Sequence, residues 1–488
     1  MSLRQQALNG GKWTAISTLS IVLLQMAQIA VISRFLDAKA FGLMGMIMII
    51  VGFAQSFTDM GISSAIIQRK ETTRNELSSL YWLNIATGLV AGFVVWMTKE
   101  PIAFFYKSPE LADLLVWSSF LFPIIASGQQ FQVLLQKELR FKVISQLSIL
   151  SMLAGTVISI SAAYFGMGVF ALVLGQLSTS AVNSILLITL SWKKWKPQMH
   201  FRRSDLKGYL SFGMFQMGDR TVTYFNNNLD KIIIGRFLGA EALGYYSIAF
   251  NLIIIPLIRI NPIVNRVAFP IFSKIQDNRE QMKKGYMKVI NTLSLVNLPL
   301  YFGLIATAPL FIPIMFGAQW GPSILITQIL CGVGILRSIA NPVGSLVMAT
   351  GKVGRGFLYN SFKTVLQIPV IIFGAYAGGV IGVAVAFLSL KSVYFITNYL
   401  VMLKTMLGPC FIDLLRSLRE PLYASVIMCI GVYLSGLVTT DYLSAGIALA
   451  IQILTGIAVY AVTILVYSPD LLHKIKGKLG NSRIKEGA

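Results

Sequence analysis

The sequence predicts an all-α polytopic membrane protein with about 14 transmembrane helices, arranged as two parallel six-helix lobes followed by two extra helices. The first observation is composition: 55% of the 488 residues are apolar and 12% are charged, whereas soluble proteins carry about 25% charged residues. Second, apolar windows recur at the length of about 20 residues that spans a bilayer as a helix. Third, a nine-residue segment returns in related form 202 residues later.

The positions of the apolar windows predict fourteen spans. In chain order they are 13–33, 41–65, 78–98, 112–135, 144–165, 168–191, 208–235, 243–266, 289–315, 323–348, 356–376, 380–402, 420–438 and 443–467. Six spans form each lobe, and the last two form an appended pair. The predicted domains are an N-terminal lobe (1–196), a C-terminal lobe (197–404), helices 13 and 14 (405–470) and a basic cytoplasmic tail (471–488).

The repeated segment is the main evidence for two lobes. It reads RFLDAKAFG at 34–42 and RFLGAEALG at 236–244, and each copy joins one apolar span to the next. A weaker echo, AYFG at 163–166 and AYAG at 375–378, has the similar offset of 212 residues. Because six spans separate the copies, the lobes are parallel and an axis along the membrane normal relates them. The alternative is that Arg-Phe-Leu is a common interfacial anchor.

The distribution of basic residues predicts the orientation of the chain. If the N-terminus is cytoplasmic, the inside segments hold 30 of the 41 lysines and arginines, the outside loops hold five, and six lie within spans. Cytoplasmic loops are enriched in Lys and Arg, so both termini are predicted to be cytoplasmic. The net charge of +22 is therefore a topology signal with anionic membrane lipid as its neighbour. No nucleic-acid partner is predicted.

Basic residues inside the spans predict an electropositive cavity. The six are Arg220, Lys231, Arg259, Arg337, Lys363 and Lys391. Each costs about 2.5–3.5 kcal/mol at the bilayer centre. The spans contain three acids, Asp59, Asp219 and Asp230, which are too few to pair with all six. A wet cavity that binds an anion accounts for the set, although each residue alone is equally compatible with a structural ion pair.

Span seven has two polar stripes and therefore cannot face lipid. One face carries Arg220, Tyr224, Asn227 and Lys231, and the adjacent stripe carries Asp219, Thr223, Asn226 and Asp230. The candidate substrate-binding residues are Arg34, Arg220, Asn227, Lys231, Arg236, Arg259, Arg337, Lys363 and Lys391. The candidate cation-coupling residues are Asp230 and Asn226. The alternative for Asp230 is an ion pair with Lys231 or Arg236.

Other kinds of site have little support in the sequence. His200 and His473 are isolated and the three cysteines lack a C-x-x-C spacing, so no metal site or disulfide framework is predicted. There is no G-x-x-x-x-G-K-[ST] phosphate loop, so ATP is not the expected direct drive. The expected cofactor set is therefore empty, apart from Na⁺ or H⁺ as a coupling ion.

Polar residues stand beside helix breakers at matched positions late in spans two and eight. Asp59 precedes Gly61, and Asn261 precedes Pro262, again with an offset of 202 residues. The pattern predicts flexible inner ends in both lobes, or else ordinary helix termination near the membrane interface.

Five stretches carry a family resemblance. They are TDMGISSAIIQRK at 58–70, LYWLN at 80–84, QQF at 129–131 with LQKEL at 135–139, NPIVNRVAFP at 261–270 with KIQD at 274–277, and LRSIANPVGS at 336–345. With these stretches the chain resembles, over nearly its full length, the Wzx-type polysaccharide flippases of the multidrug/oligosaccharidyl-lipid/polysaccharide (MOP) exporter superfamily. The most similar branch contains the colanic-acid and teichuronic-acid exporters.

The resemblance implies a V-shaped MOP fold, a bacterial inner-membrane location and a transport activity. The implied cargo is a polyprenyl-pyrophosphate-linked oligosaccharide, moved from the inner to the outer leaflet. It would be a repeat unit of an exopolysaccharide, capsule, O-antigen or teichuronic acid. Membrane lipid and polysaccharide polymerase or assembly proteins are the expected partners, and a monomer is the expected state.

Three other functions stay open at this point. A drug or metabolite antiporter related to the MATE transporters is expected to favour buried acids, whereas here cations in the spans outnumber acids six to three. An integral glycosyltransferase or polymerase needs an acidic catalytic constellation or a large outer loop, and neither is predicted. A non-transporting scaffold of a glycan assembly complex leaves the six cations unexplained.

Overall fold

The computed structural model describes residues 3–58, 62–69, 71–206, 209–351, 353–439 and 441–467. All regular secondary structure in this part of the chain is helical, and twelve of its helices are long and apolar enough to cross a membrane. The chain is therefore a multi-pass α-helical membrane protein, as predicted. The number fourteen stays a prediction, because the 50-residue candidate Leu358–Leu407 is broken at Gly378 and Gly379, and the polar helix Leu210–Phe237 is not among the twelve.

The helices form two compact units, of which the first comprises Met1–Ser247 and Asn360–Val383. Its helices are α1 (Leu3–Ile32), α2 (Ala38–Thr58), α3 (Ile62–Gln68), α4 (Arg74–Met97), α5 (Lys99–Tyr106), α6 (Glu110–Ser119), α7 (Leu121–Lys137), α8 (Phe141–Tyr164), α9 (Phe170–Ser191), α10 (Leu210–Phe237) and the start of α11 (Gly239–Arg259). Helix α8 packs against α1 and α9, and α7 packs against α4 and α9. This arrangement brings α1, α7, α8 and α9 together around one volume.

The second unit comprises Ile248–Tyr359 and Ala384–Ala488. It contains the rest of α11 and then α12 (Asn261–Lys274), α13 (Arg279–Phe316), α14 (Ser323–Ala340), α15 (Val343–Ala349), both ends of α16 (Val353–Asn398), α17 (Lys404–Leu407), α18 (Phe411–Thr439) and α19 (Ala445–Tyr467). Helix α13 packs against α14, α18 and α19. The predicted tail 471–488 lies outside the described residues, and the predicted lobe boundaries stay a prediction.

Several predicted spans are two helices rather than one. Span four is α6 plus α7, span eight is α11 plus α12, and span ten is α14 plus α15. The breaks in spans eight and ten coincide with Asn261-Pro262 and Asn341-Pro342, where proline lacks the N–H of a helical hydrogen bond. The predicted cytoplasmic loop 267–288 is also mostly helical, because α12 continues to Lys274 and α13 begins at Arg279.

Buried amides accompany the break at Asn261. The side chain of Asn261 is fully buried, and its Oδ1 accepts a hydrogen bond of 2.9 Å from Asn297 Nδ2, which also donates to Ser338 Oγ at 2.6 Å. These bonds hold the start of α12 against α13 and α14. The matched position, Asp59, lies outside the described residues.

The two copies of the repeated segment pack against each other inside the first unit. A Cβ added to Gly42 would lie 1.6 Å from the backbone oxygen of Ala240, and one added to Gly244 would lie 1.8 Å from the backbone oxygen of Ala38. The two contacts are reciprocal, since Gly244 and Ala240 are the repeats of Gly42 and Ala38 at the offset of 202 residues. The segments therefore meet around a local pseudo-twofold axis.

An aromatic pair is also repeated. The rings of Phe35 and Tyr164 meet edge to face with centroids 6.3 Å apart, and those of Phe237 and Tyr376 do the same at 5.6 Å. These four residues belong to the two echoes recognised in the sequence, RFL and AYxG. An internal repeat predicts that such a contact occurs once in each copy, as it does here.

Candidate functional site

A cavity lined by amides and hydroxyls lies within the first unit. Its volume is about 570 Å³, and α1, α2, α3, α7, α8 and α9 contribute to its wall. Its side-chain amides include those of Gln25, Gln129, Gln132, Gln136, Gln176 and Asn183. None of the described lining residues carries a charge. We call this volume the amide cavity.

Helical spacing places the amides on matching faces. Gln129, Gln132 and Gln136 follow one another at i, i+3 and i+7 on α7, which is one face of a helix. On α9, Gln176, Ser180 and Asn183 follow one another at i, i+4 and i+7, which is also one face of a helix. Two otherwise apolar helices thus each present a polar stripe to the amide cavity.

Close packing of α7 on α9 sets the position of these stripes. A Cβ added to Gly128 would lie 2.8 Å from the Cα of Ser184, so only glycine permits this approach. The Ser184 hydroxyl donates to the backbone oxygen of Ile124 on α7 at 2.7 Å. Helix-to-helix contact through a glycine and a hydroxyl is common in membranes, where small residues let backbones approach.

Several amides of the cavity have no hydrogen-bond partner among the described residues. Gln129 Nε2 donates to Ser63 Oγ at 3.2 Å, but in the described part of the chain the half-buried side chains of Gln132, Gln136 and Gln176 form no hydrogen bond with another protein group. Unsatisfied polar groups are costly at membrane depth. Water or a polar ligand must therefore supply their hydrogen bonds.

An apolar cavity adjoins the amide cavity. Its volume is about 880 Å³, and its walls come from α2, α4, α5 and α10, with Phe53, Val90, Phe105 and Tyr224 among the lining side chains. Thr58, the last residue of α2, lines both cavities. A polar and an apolar compartment thus meet at one residue of the first unit.

The predicted cation-coupling residue Asp230 is completely buried on α10. Its Oδ2 accepts a hydrogen bond of 2.5 Å from the hydroxyl of Tyr246 on α11, and its Oδ1 has no hydrogen-bond partner. Among the described residues it forms no ion pair with Lys231 or Arg236, which was the alternative to a coupling role. The backbone oxygen of Asn226, the second predicted residue, accepts from Gln367 Nε2 at 3.2 Å.

The structure places the predicted substrate-binding residues in both units. Arg34, Asn227, Lys231, Arg236 and Lys363 belong to the first unit, and Arg337 and Lys391 belong to the second. Arg34 and Asn227 are exposed, and the others are half-buried. The side chains of Arg220 and Arg259 lie outside the described residues. The electropositive cavity that these residues were expected to line stays a prediction.

Two of the predicted cations lie on aromatic rings. Lys391 Nζ is 4.5 Å from the ring centroid of Phe387 and 5.2 Å from that of Tyr394. The guanidinium carbon of Arg236 is 5.4 Å from the ring centroid of Phe105, and its Nη1 is buried without a hydrogen-bond partner. Cation–π contacts of this length stabilise a cation away from bulk water.

The charged residues of the sequence do not point to the amide cavity. Gln129 and Gln136 belong to the stretches that carry the family resemblance. The available signal was the spacing of glutamines along one face of an apolar span, which is unusual because lipid cannot satisfy an amide. The sequence does not show whether another helix satisfies it instead.

Comparison with known proteins decides the family. A family model described as "Polysaccharide biosynthesis protein" matches residues 31–325. The chain belongs to this polysaccharide biosynthesis protein family. The resemblance to Wzx-type exporters is thereby confirmed, and as a member of the family the chain is a membrane transport protein rather than an enzyme.

Two relatives within the polysaccharide biosynthesis family align over most of their length. The lipopolysaccharide biosynthesis protein WzxC of Escherichia coli K12 is 37% identical over 91% of this chain and 90% of its own. The teichuronic acid biosynthesis protein TuaB of Bacillus subtilis 168 is 34% identical over 98% and 99%. The lipid II flippase MurJ in an inward closed conformation has the same fold, with a TM-score of 0.75 over 95% of this chain and 100% of its own, at 16% identity.

Proposed function

We propose that the protein is a flippase that moves a polyprenyl-pyrophosphate-linked oligosaccharide from the inner to the outer leaflet of the bacterial plasma membrane by alternating access. The observation that carries the proposal is the amide cavity, a polar and uncharged volume walled by membrane helices of a polysaccharide biosynthesis protein. Oligosaccharides are rich in hydroxyls, which both donate to and accept from amides. The cargo would be an exopolysaccharide, capsule, O-antigen or teichuronic-acid repeat unit.

The neighbouring apolar cavity supports a lipid-linked cargo in particular. A polyprenyl glycan joins a hydrocarbon chain to a polar head, so its binding surface must change from apolar to polar over a short distance. The two cavities change in this way at Thr58, which lines both. A free sugar would need only the polar cavity.

The half-buried cations suit the third part of the cargo, its pyrophosphate. Lys391 lies on α16 and Arg337 in the last turn of α14, and a cation at the centre of a bilayer costs about 2.5–3.5 kcal/mol. A pyrophosphate passing through the protein would offset that cost by charge-assisted hydrogen bonds. Some glycans also contain acidic sugars, which would use the same residues.

We further propose that a cation gradient, of Na⁺ or H⁺, drives transport through Asp230. The free Oδ1 of this buried carboxylate can take up a proton, or contribute to binding a sodium ion, with little rearrangement. Loss of the ion would leave an unpaired buried charge, which is unfavourable. Occupancy of Asp230 would therefore bias the packing of α10 against α11, because Tyr246 links the two helices.

The decisive experiment measures leaflet transfer of a polyprenyl-pyrophosphate oligosaccharide in proteoliposomes, with and without an imposed Na⁺ or H⁺ gradient. Transfer that depends on the gradient is expected from wild type, and Asp230→Asn should transfer equally with and without it. Arg337→Gln and Lys391→Gln should each lower the transfer rate about tenfold, because each removes one charged hydrogen bond to the cargo. Lys193→Gln, an exposed position on the basic link after α9, serves as the control.

Other outcomes would contradict parts of the proposal. If wild type transfers the cargo at the same rate with and without each gradient, the coupling role of Asp230 is excluded and the protein is a flippase that does not use a gradient. Unchanged rates in both cation variants would exclude the predicted role of those residues. No transfer of any polyprenyl cargo by folded protein would favour a scaffold, or an antiporter of small molecules.

A further inference from the structure

We infer that the amide cavity is the binding site for uncharged sugar units of the cargo, and that the anionic parts of the cargo bind elsewhere. The inference rests on the proposed function and adds to it a location and a chemical class. It assigns a specificity role to Gln132, Gln136 and Gln176, which line the cavity. Three independent features of the cavity carry it.

The first feature is the state of hydrogen bonding in the cavity. Two glutamines on either side of Phe131 in α7 can be compared. Gln130 is fully buried and donates from Nε2 to the backbone oxygen of Leu77 at 2.6 Å, whereas Gln132 is half-buried and forms no hydrogen bond with another described residue. Gln130 therefore has a structural role in holding α7 to α4. Gln132 faces a cavity and retains its full hydrogen-bonding capacity, which a ligand can use.

The second feature is the absence of charge among the described lining residues. A buried carboxylate or phosphate needs a paired cation as well as hydrogen-bond donors, and the described lining supplies only the donors. A sugar hydroxyl has no such requirement, because one amide satisfies it as donor and acceptor. The lining therefore favours neutral hexose or N-acetylhexosamine units over uronic acids.

The third feature is the size and position of the cavity. A volume of about 570 Å³ falls within the range of roughly 300–1,000 Å³ for pockets that hold a small organic ligand. It accommodates a short oligosaccharide segment rather than a polymer. Thr58 lines both this cavity and the apolar cavity, so the sugars and the hydrocarbon of a lipid-linked cargo would have neighbouring sites of matching polarity.

The test uses purified full-length protein in detergent on an array of lipid-free oligosaccharides, in which neutral tri- and tetrasaccharides stand beside counterparts that contain a uronic acid. Wild type should retain neutral glycans. The double variant Gln132→Leu/Gln176→Leu should lose that binding at least about tenfold, since it removes hydrogen bonds on two walls of the cavity. The matched control Gln68→Leu removes an exposed amide of α3 that lies outside the lining.

A second variant and a stability measurement guard against misfolding. Gln132→Glu keeps the size of the side chain and adds a negative charge, so it should lower the retention of uronate glycans further than that of neutral glycans. Both variants should unfold within a few degrees of wild type, because neither amide has a structural partner. A wild-type protein that binds no neutral glycan, or a double variant that binds them as wild type does, would overturn the inference.

This design separates the inference from the proposed function. If wild type binds neutral glycans through Gln132 and Gln176 but transfers no polyprenyl cargo, the flippase proposal fails while the sugar site stands. If transfer occurs and the double variant still binds neutral glycans normally, the sugar site fails while the flippase stands.

Discussion

At the scale of single residues, Asp205 shows how one carboxylate orders the link between α9 and α10. Its Oδ2 accepts hydrogen bonds from Ser79 Oγ at 2.8 Å and is 2.9 Å from His200 Nε2. The hydroxyl oxygen of Ser79 in turn accepts from the backbone N–H of Arg202 at 3.1 Å. The hydrogen bond from Ser79, followed by the contact with His200, lowers the pKa of Asp205.

A pH dependence of stability follows from that lowered pKa. A carboxylate with a depressed pKa stabilises the folded state at pH values above its ordinary pKa of about 3.9, and this contribution is lost as the pH falls through the depressed value. Asp205→Asn should therefore lower the unfolding temperature at pH 7, and the difference from wild type should vanish in acid. Thermal unfolding in detergent between about pH 3 and pH 8 measures this. A difference that stays constant over the whole range would exclude the ionised carboxylate as its cause.

Trp195 in the same link is a core residue. Its side chain is 8% exposed, and its ring lies 5.3 Å from that of Phe131 and 5.8 Å from that of Tyr81, measured between centroids. The tryptophan-and-lysine pattern of residues 192–197 is equally compatible with an interfacial segment and with a simple basic linker. The ring contacts of Trp195 fasten the link to α4 and α7.

At the scale of elements, the helix corners after α1 and α10 depend on their glycines. Gly42 and Gly244 each let a helix approach the backbone of the other copy of the repeat. No side chain fits there, because the nearest atom in each case belongs to the backbone and cannot rotate away. The reciprocity of the contact explains why the repeated motif ends in glycine in both copies.

Substitution of either glycine should therefore destabilise the fold to a similar degree. Gly42→Val and Gly244→Val should each cost about 1–3 kcal/mol or more, the usual range for overpacking. The double variant should cost less than the sum, because both contacts belong to one interface between the two copies of the repeat. Unfolding in denaturant measures the changes. The control is Gly354→Val on α16, where an added Cβ meets nothing within 4 Å. Equal stability of Gly42→Val and this control would refute the close approach.

The helix breaks within predicted spans eight and ten also belong to this scale. Proline after asparagine marks the breaks at Asn261 and Asn341, and the side chains of Asn265 and Asn341 join α12 to the turn before α15 by a hydrogen bond of 2.5 Å. These side-chain bonds hold α12 to its neighbours at the break. Broken membrane helices are tolerated where they are buried within the protein.

At the scale of the whole molecule, the distribution of basic residues predicts an orientation that the fold alone does not fix. With both termini inside, the link at 192–207 is cytoplasmic and the turn at 165–168 is external. Lys193 and Phe165 are both exposed, so each position is open to labelling. The ratio of 30 inside to five outside lysines and arginines predicts that Lys193 is cytoplasmic and Phe165 is external.

Cysteine labelling tests this orientation. In a variant without the three native cysteines, Phe165→Cys should react with a membrane-impermeant maleimide in intact cells, and Lys193→Cys should react only after permeabilisation. The reverse pattern would invert the topology and place the basic link outside. Labelling of both positions in intact cells would contradict the predicted number of spans between them.

The sequence by itself determined the class of the protein, its internal repeat and its family. These features depend on composition, on the spacing of apolar windows and on motifs of contiguous residues, so they can be predicted without knowledge of packing. The repeat at 34–42 and 236–244 even anticipated which helix corners would match. The lengths of the helices are harder to predict, because the sequence does not show whether an asparagine-proline pair within an apolar span ends one helix and begins another.

Only the tertiary structure decided which polar groups are used within the protein and which are left for a ligand. Gln130 and Gln132 are equivalent in sequence, yet one bonds to α4 and the other faces the amide cavity. Asp230 was compatible with a neighbouring cation, yet its described partner is Tyr246 on the next helix. The reason is physical: a membrane helix shows its polar residues in its own sequence, but their partners come from other helices, whose register and rotation depend on packing throughout the unit.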